Sequence, residues 1–267
     1  MLITLVLIYV TLCICGCVWQ RKLLYIPTKI PAEVIVQVAT DHGFVPWTNA
    51  TGQIIGWKIP TTGPASGSVL IVHGNAGCAV GRDYLAQPIH AATNVTVYVL
   101  EYPGYGARDG SPSKTSLDAA AEEAFQLLPV TLPKFIVSES IGAGVACDLA
   151  RNHPAEVAGL ALLVPYHNLA SVAQQHFWFL PAYFFLLDRF NPSESLKAYH
   201  GPVKIVIAGA DEVIGPKSGQ RLFDGYAGPK SLQLFPGAHH NDVSAQPPQW
   251  WQEVFTFWEQ NRNPSGK

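Results

Sequence analysis

Six short runs dominated by apolar and β-branched residues most restrict how this chain can fold: SVLIV at 68–72, VTVYVL at 95–100, FIV at 135–137, LALLV at 160–164, VKIVIA at 203–208 and SLQLF at 231–235. A strand with one wet face alternates apolar and polar residues. A strand covered on both faces has no polar side, as in a parallel sheet sandwiched between helices. Helical stretches fall between the runs, at 116–128 (SLDAAAEEAFQLL, a Ser cap and an Ala-rich body), 141–152, 217–226 and 248–261. This alternation predicts right-handed βαβ units in one α/β domain, a mostly parallel central sheet with helices on both faces. A moderately alternating strand at 53–59, after a turn at 49–52, is expected to join it antiparallel. Ligands of such sheets bind at the carboxyl ends of strands.

Two segments break the alternation. Residues 166–200 are too long for a plain connection and contain HFWFLPAYFFLL at 176–187, which predicts a small helical cap inserted over the strand ends. Residues 1–18 hold no charged side chain and are followed by Trp19, Gln20, Arg21, Lys22 and Tyr25, an aromatic and basic flank suited to a membrane interface. About 18 residues of helix span about 27 Å, just enough for a hydrocarbon core. The segment 1–19 is therefore read as a transmembrane anchor. The rivals are a cleaved secretory signal, whose usual basic start is missing, and a lipoprotein signal, in which ICGC at 14–17 is the cleavage box and Cys17 the lipidated residue. Arg21 and Lys22 would nominally hold that flank in the cytoplasm, so sidedness stays open.

No Pro-, Ser- or Gly-rich linker divides the rest of the 267 residues, so 20–267 is one domain. Charged residues make up 13%, about half the usual share. A net charge of −2 without a basic stripe argues against nucleic acid as a partner. Of five cysteines only Cys78 and Cys147 lie in the body, with no CxxC or Cys/His spacing, so no metal site is expected.

Four motifs carry chemistry, each just past an apolar run. SESIG at 138–142 has small residues two before and two after Ser140, as a tight strand-to-helix turn needs, and puts that hydroxyl at a helix N-terminus. Read alone it could be no more than a helix cap. Ser138 is a rival nucleophile only if it leaves the strand. HGNAG at 73–77 can aim backbone N–H groups into a cleft. Asn75 (or, as second choice, Ala76) and Ile141 are the expected oxyanion donors, with His73 structural. Asp211 ends a buried run, where a carboxylate needs a partner. In PGAHHND at 236–242, His239 and His240 compete as the base that would partner it. The order Ser, Asp, His belongs to this kind of fold rather than to chymotrypsin- or subtilisin-like chains.

Together these residues resemble the α/β-hydrolase superfamily, and within it the N-terminally membrane-anchored branch that includes bacterial envelope hydrolases and animal depalmitoylase-like proteins. The resemblance covers nearly the whole chain and rests on QRKLLYIP at 20–27, HGNAG, EYPGYG at 101–106, GSPS at 110–113, SESIG, DRF at 188–190, GADEVI at 209–214 and PGAHHND. It implies Ser140 as nucleophile, Asp211 as the triad acid and His240 as the base. His239 stands where that branch usually has Gly, and Ser138 where the turn usually has Gly. It further implies a serine esterase or thioesterase that works through an acyl-enzyme without metal or organic cofactor. The substrate would be a small molecule or an acylated protein near a membrane, and the location a bacterial cell envelope. A peptidase using the same residues and a non-catalytic binding module are the other readings. The apolar stretch 177–187 is either an acyl groove or cap packing. Tyr102 and Tyr105 are expected to shape the loop beside the site.

Overall fold

The computed structural model describes residues 1–262. Helix α1 (Leu2–Leu24) is a single uninterrupted helix. It leads to a two-residue strand β1 (Ile26–Pro27), helix α2 (Ala32–Asp41) and the antiparallel strands β2 (Val45–Thr48) and β3 (Ile54–Ile59). Strand β4 (Gly67–Val72) is followed by the two-residue β5 (Ala76–Gly77), helix α3 (Asp83–Ala92) and strand β6 (Val95–Leu100). Helix α4 (Lys114–Gln126), strand β7 (Lys134–Glu139), helix α5 (Gly142–Asn152) and strand β8 (Val157–Leu163) complete the middle of the chain. The cap holds α6 (Leu169–His176), α7 (Ala182–Phe185) and α8 (Pro192–Ser195). Then follow β9 (Val203–Ala208), α9 (Pro216–Gly225), β10 (Lys230–Phe235) and α10 (Pro248–Asn261).

The main sheet has eight strands in the order β10-β9-β8-β7-β4-β6-β3-β2. The six predicted runs are its parallel strands; β3 alone runs against them, and the edge strand β2, antiparallel to β3, runs in their direction. The strands β4, β6, β7, β8 and β9 are buried almost throughout, as their lack of a polar face requires. The run at 231–235 differs. It forms an edge strand, and Leu234 is 50% exposed. Gly159 in β8 leaves room for Trp258 of α10: a Cβ there would lie 2.6 Å from the indole, whose N–H donates to the Leu160 carbonyl at 3.1 Å. Phe135 of β7 stacks on the same ring at 4.8 Å.

Local details shift several expectations. The Ala-rich helix starts at Lys114 with Ser113 as its cap. Ser116, expected to be the cap, instead closes a reciprocal capping box from the third helical position. Strand β7 extends to Glu139, so Ser138 lies inside the strand and is buried. Tyr25, read as part of a membrane-facing flank, is 3% exposed and belongs to the core. No residue of α1 is buried.

Candidate active site

The site forms where β7 meets α5. Ser140 has φ +49°, a value rare outside glycine and the mark of a strained turn that lifts its side chain off the sheet. Hydrogen bonds hold the strain: the Ser140 N–H donates to Leu163 O at 2.9 Å, and the Tyr166 hydroxyl donates to Ile141 O at 3.1 Å. Gly142 is required by space. A Cβ there would collide with the Val72 carbonyl oxygen and lie 2.8 Å from that of His73. Replacing Gly142 with Ala is expected to cost more than about 2 kcal/mol in urea unfolding, because backbone cannot move aside as a side chain can. Ser138 meets no such demand: its Oγ lies 3.5 Å from Ala161 O, a marginal bond. Ser138→Ala is expected to change stability by less than about 1 kcal/mol in the same measurement.

Three of the sequence candidates meet here although up to 100 residues separate them. The Ser140 hydroxyl lies 3.1 Å from His240 Nε2, and His240 Nδ1 lies 2.8 Å from Asp211 Oδ2. With the proton on Nδ1 donated to Asp211, Nε2 is left to accept from Ser140. All three are buried. The other Asp211 oxygen, Oδ1, accepts from the N–H groups of Val213 and Ile214, each at 2.8 Å. Burial by itself would raise the Asp211 pKa. The bonds from His240 and these two N–H groups outweigh it and hold the carboxyl below its ordinary value. Asp211 is therefore ionised and doubly anchored. His239 points away: its side chain is 64% exposed and its Nδ1 lies 3.1 Å from Glu212 Oε2.

The loop 73–77 passes over Ser140, so closely that a Cβ on Gly74 would sit 3.8 Å from that of Ser140. Among the described residues, no hydrogen bond engages the N–H of Asn75 or of Ile141, and both residues line the cavity above Ser140. Two tyrosines pin the loop from behind. Tyr102 donates to His73 O at 3.1 Å, and Tyr105 to Asn75 O at 2.7 Å. Burial raises the pKa of both, so they remain phenols and donors. The Ile26 N–H also donates to Asn75 O at 2.9 Å, where β1 pairs with β5. The motif at 20–27 is thus a brace for this loop. His73 is fully buried, 4.3 Å from the Tyr102 ring and 3.8 Å from Glu101 Oε1, and it makes no hydrogen bond to Ser140, Asp211 or His240.

A cavity of about 340 Å³ opens above Ser140 and Ile141. The cap supplies one wall, through residues that include Leu169, Val172, Phe177, Leu180 and Phe185. The other wall is α1, through Cys13, Gly16, Cys17, Gln20, Leu23 and Leu24. Sequence reading missed this. The only local signal is that these six residues share one helical face. Polar bonds join the two walls: Leu187 N–H donates to Gln20 Oε1 at 2.7 Å, and Arg21 donates to both Asp188 oxygens at 2.9 and 3.1 Å. Arg21 is thus tied to the cap, with its side chain still 48% exposed. Among the described residues no group of three or more His, Cys, Asp or Glu side chains is arranged to hold a metal ion.

This fold is that of an α/β hydrolase, and the family profile of that fold matches residues 67–197. The chain belongs to the α/β-hydrolase family. An uncharacterised protein of Mycobacterium tuberculosis (strain ATCC 25618 / H37Rv) is 34% identical to it over 240 residues, 84% of this chain and 81% of that protein. The lysophosphatidylserine lipase ABHD12 of Danio rerio is 28% identical over 207 residues, 70% of this chain but only 54% of its own length. Among solved structures, the Pyrococcus furiosus esterase Pf2001 matches with a TM-score of 0.63 at 16% identity, covering 90% of this chain and 98% of its own, a likeness of fold.

Proposed function

We propose that this hydrolase is a serine esterase or thioesterase that cleaves acyl substrates at a membrane, with residues 1–19, which include most of α1, as its anchor. The observation that carries the reading is the hydrogen-bonded chain Ser140–His240–Asp211 at the floor of an apolar cavity. Ser140 Oγ attacks the acyl carbonyl while His240 Nε2 takes its proton. Asp211 holds the ring and stabilises the imidazolium. The N–H groups of Asn75 and Ile141 meet the developing oxyanion beside mostly apolar cavity walls. His240 then returns the proton to the leaving alcohol or thiol. Water, deprotonated by the same nitrogen, releases the acid.

The cavity walls favour an acyl chain over a peptide side chain or a polar acid. The name of the zebrafish relative, a lysophosphatidylserine lipase, points to the same class of bond. Helix α1 supports the membrane setting: it is 23 residues long with a mean hydropathy of 2.5 in its most apolar window, enough to cross a bilayer by length and composition. The test is a panel of p-nitrophenyl esters and acyl thioesters from acetyl to palmitoyl, set beside peptide substrates. The expected result is ester or thioester turnover that rises toward medium and long chains. Turnover of peptides alone, or of nothing, would overturn the proposal.

A further inference from the structure

We propose that α1 is the chain-measuring wall of the acyl site, and that the acyl chain of a membrane lipid enters sideways, from the bilayer, between α1 and the cap. The inference rests on reading Ser140 as an esterase nucleophile and adds the substrate's route and length. One face of α1 lines the cavity continuously from Leu24 to Cys13. At the inner end, the Leu24 carbonyl accepts from Asn75 Nδ2 at 3.0 Å, which places the helix end beside the oxyanion loop. At the outer end, Gly16 faces the cap so closely that a Cβ there would lie 3.9 Å from Leu180 Cδ1. Eleven residues of helix measure about 16 Å, the length of an extended chain of about twelve carbons with single bonds of about 1.5 Å. A substrate carbonyl at Ser140 would therefore run its chain along α1 and reach Cys13.

The depth of the site argues for access from the lipid. The Arg21–Asp188 pair marks a polar level on α1. The Gly16–Leu180 approach lies five residues nearer the N-terminus, about 7 Å deeper along the helix, the depth at which the apolar face of an interfacial element sits in a bilayer. The cap bears the side chains such immersion calls for. Trp178 and Phe184 are 78% and 73% exposed, and Phe179, Phe185 and Leu187 are also exposed. On α1 itself, Ile14 and Val18, off the cavity-lining face, are exposed too. An apolar surface of this kind, continuous with a helix able to span a bilayer, fits lipid as its cover. Arg21, Gln20 and Asp188 then work as a clasp that keeps the two walls together at the headgroup level.

Native thiols provide the test. Cys13 and Cys17 line the cavity and Cys15 does not. Full-length protein in detergent micelles is inactivated at Ser140 with either an ethyl or a dodecyl fluorophosphonate, then alkylated with N-ethylmaleimide and read by peptide mass spectrometry. Ligands in such pockets bury 70–90% of their surface, so the dodecyl adduct is expected to slow alkylation of Cys13 and Cys17 about five-fold relative to the ethyl adduct, with Cys15 unchanged. Equal rates at all three cysteines in both adducts would overturn the channel while leaving the esterase reading intact. Failure of both reagents to label Ser140 would overturn the esterase reading first, and the channel with it. An intact mass showing a chain that begins at a lipidated Cys17 would also overturn the channel, since Cys13 and Gly16 would be gone. A second measurement uses Gly16→Trp. It is expected to lower the ratio of laurate to butyrate ester kcat/KM at least about ten-fold, whereas Val18→Trp, on the lipid side, leaves that ratio unchanged. The same ratio in both variants would count against the inference.

Discussion

Ser140→Ala is expected to abolish fluorophosphonate labelling and to lower kcat for the best ester on the order of 10⁵–10⁶-fold, with the urea midpoint nearly unchanged. The size follows from the proposed role of the residue. Without Oγ there is no acyl-enzyme, and the oxyanion donors and cavity can only assist direct attack by water. Stability should survive because Ala keeps the Cβ at φ +49° and loses only one hydroxyl, whose sole side-chain partner is His240. The informative contrast is Ser138→Ala, which should still label, since Ser138 lies in the strand, away from the cavity. Labelling that persists in Ser140→Ala would mean that another residue is the nucleophile and would remove the basis of the proposed mechanism.

The second large effect separates the two adjacent imidazoles. His240→Ala is expected to reduce kcat by a factor comparable to the loss of Ser140, because a nucleophile and its base act as one unit. His239→Ala should leave turnover within a factor of about three, since an exposed ion pair contributes little. The structure gives the reason. Backbone turning carries His240 inward to Asp211, while His239 stays outside with Glu212. Its N–H donates to Asp242 Oδ2 at 2.8 Å, which makes that turn rigid. Steady-state kinetics on the two variants decide the matter, and the reverse ranking would reassign the base. Asp211→Asn offers a graded companion. It preserves shape but no longer holds the proton on Nδ1, so a loss of about 10⁴-fold is expected.

Much of this molecule was legible residue by residue. The strands announced themselves because burial on both faces is a local demand on composition, and it stays visible however the rest of the chain is arranged. The catalytic candidates were legible because they follow those strands in the order Ser140, Asp211, His240. Small residues around Ser140 added a local steric signal. Helix α3 was not legible: Pro88 sits inside it, and no local pattern outweighs that break. Strand β2 and helix α2 were missed for a related reason. They are short, and contact with β3 and the core stabilises them more than their own periodicity does.

The sequence by itself determined the parallel sheet, the hydrolase motifs and the apolar character of both α1 and the cap. Each is a property of consecutive residues. Tertiary structure alone decided which histidine faces Asp211, that Tyr25 is core rather than membrane flank, and that Tyr102, Tyr105 and Ile26 hold the 73–77 loop. It also brought α1 against the cap. Those choices depend on contacts such as Gln20 with Leu187, 167 residues apart in the chain. Apolar runs say that a surface must be covered but not by what, since burial has no direction of its own. The partner is set by the few polar bonds, here Arg21 to Asp188 and Asn75 to Leu24, that can be satisfied in only one arrangement.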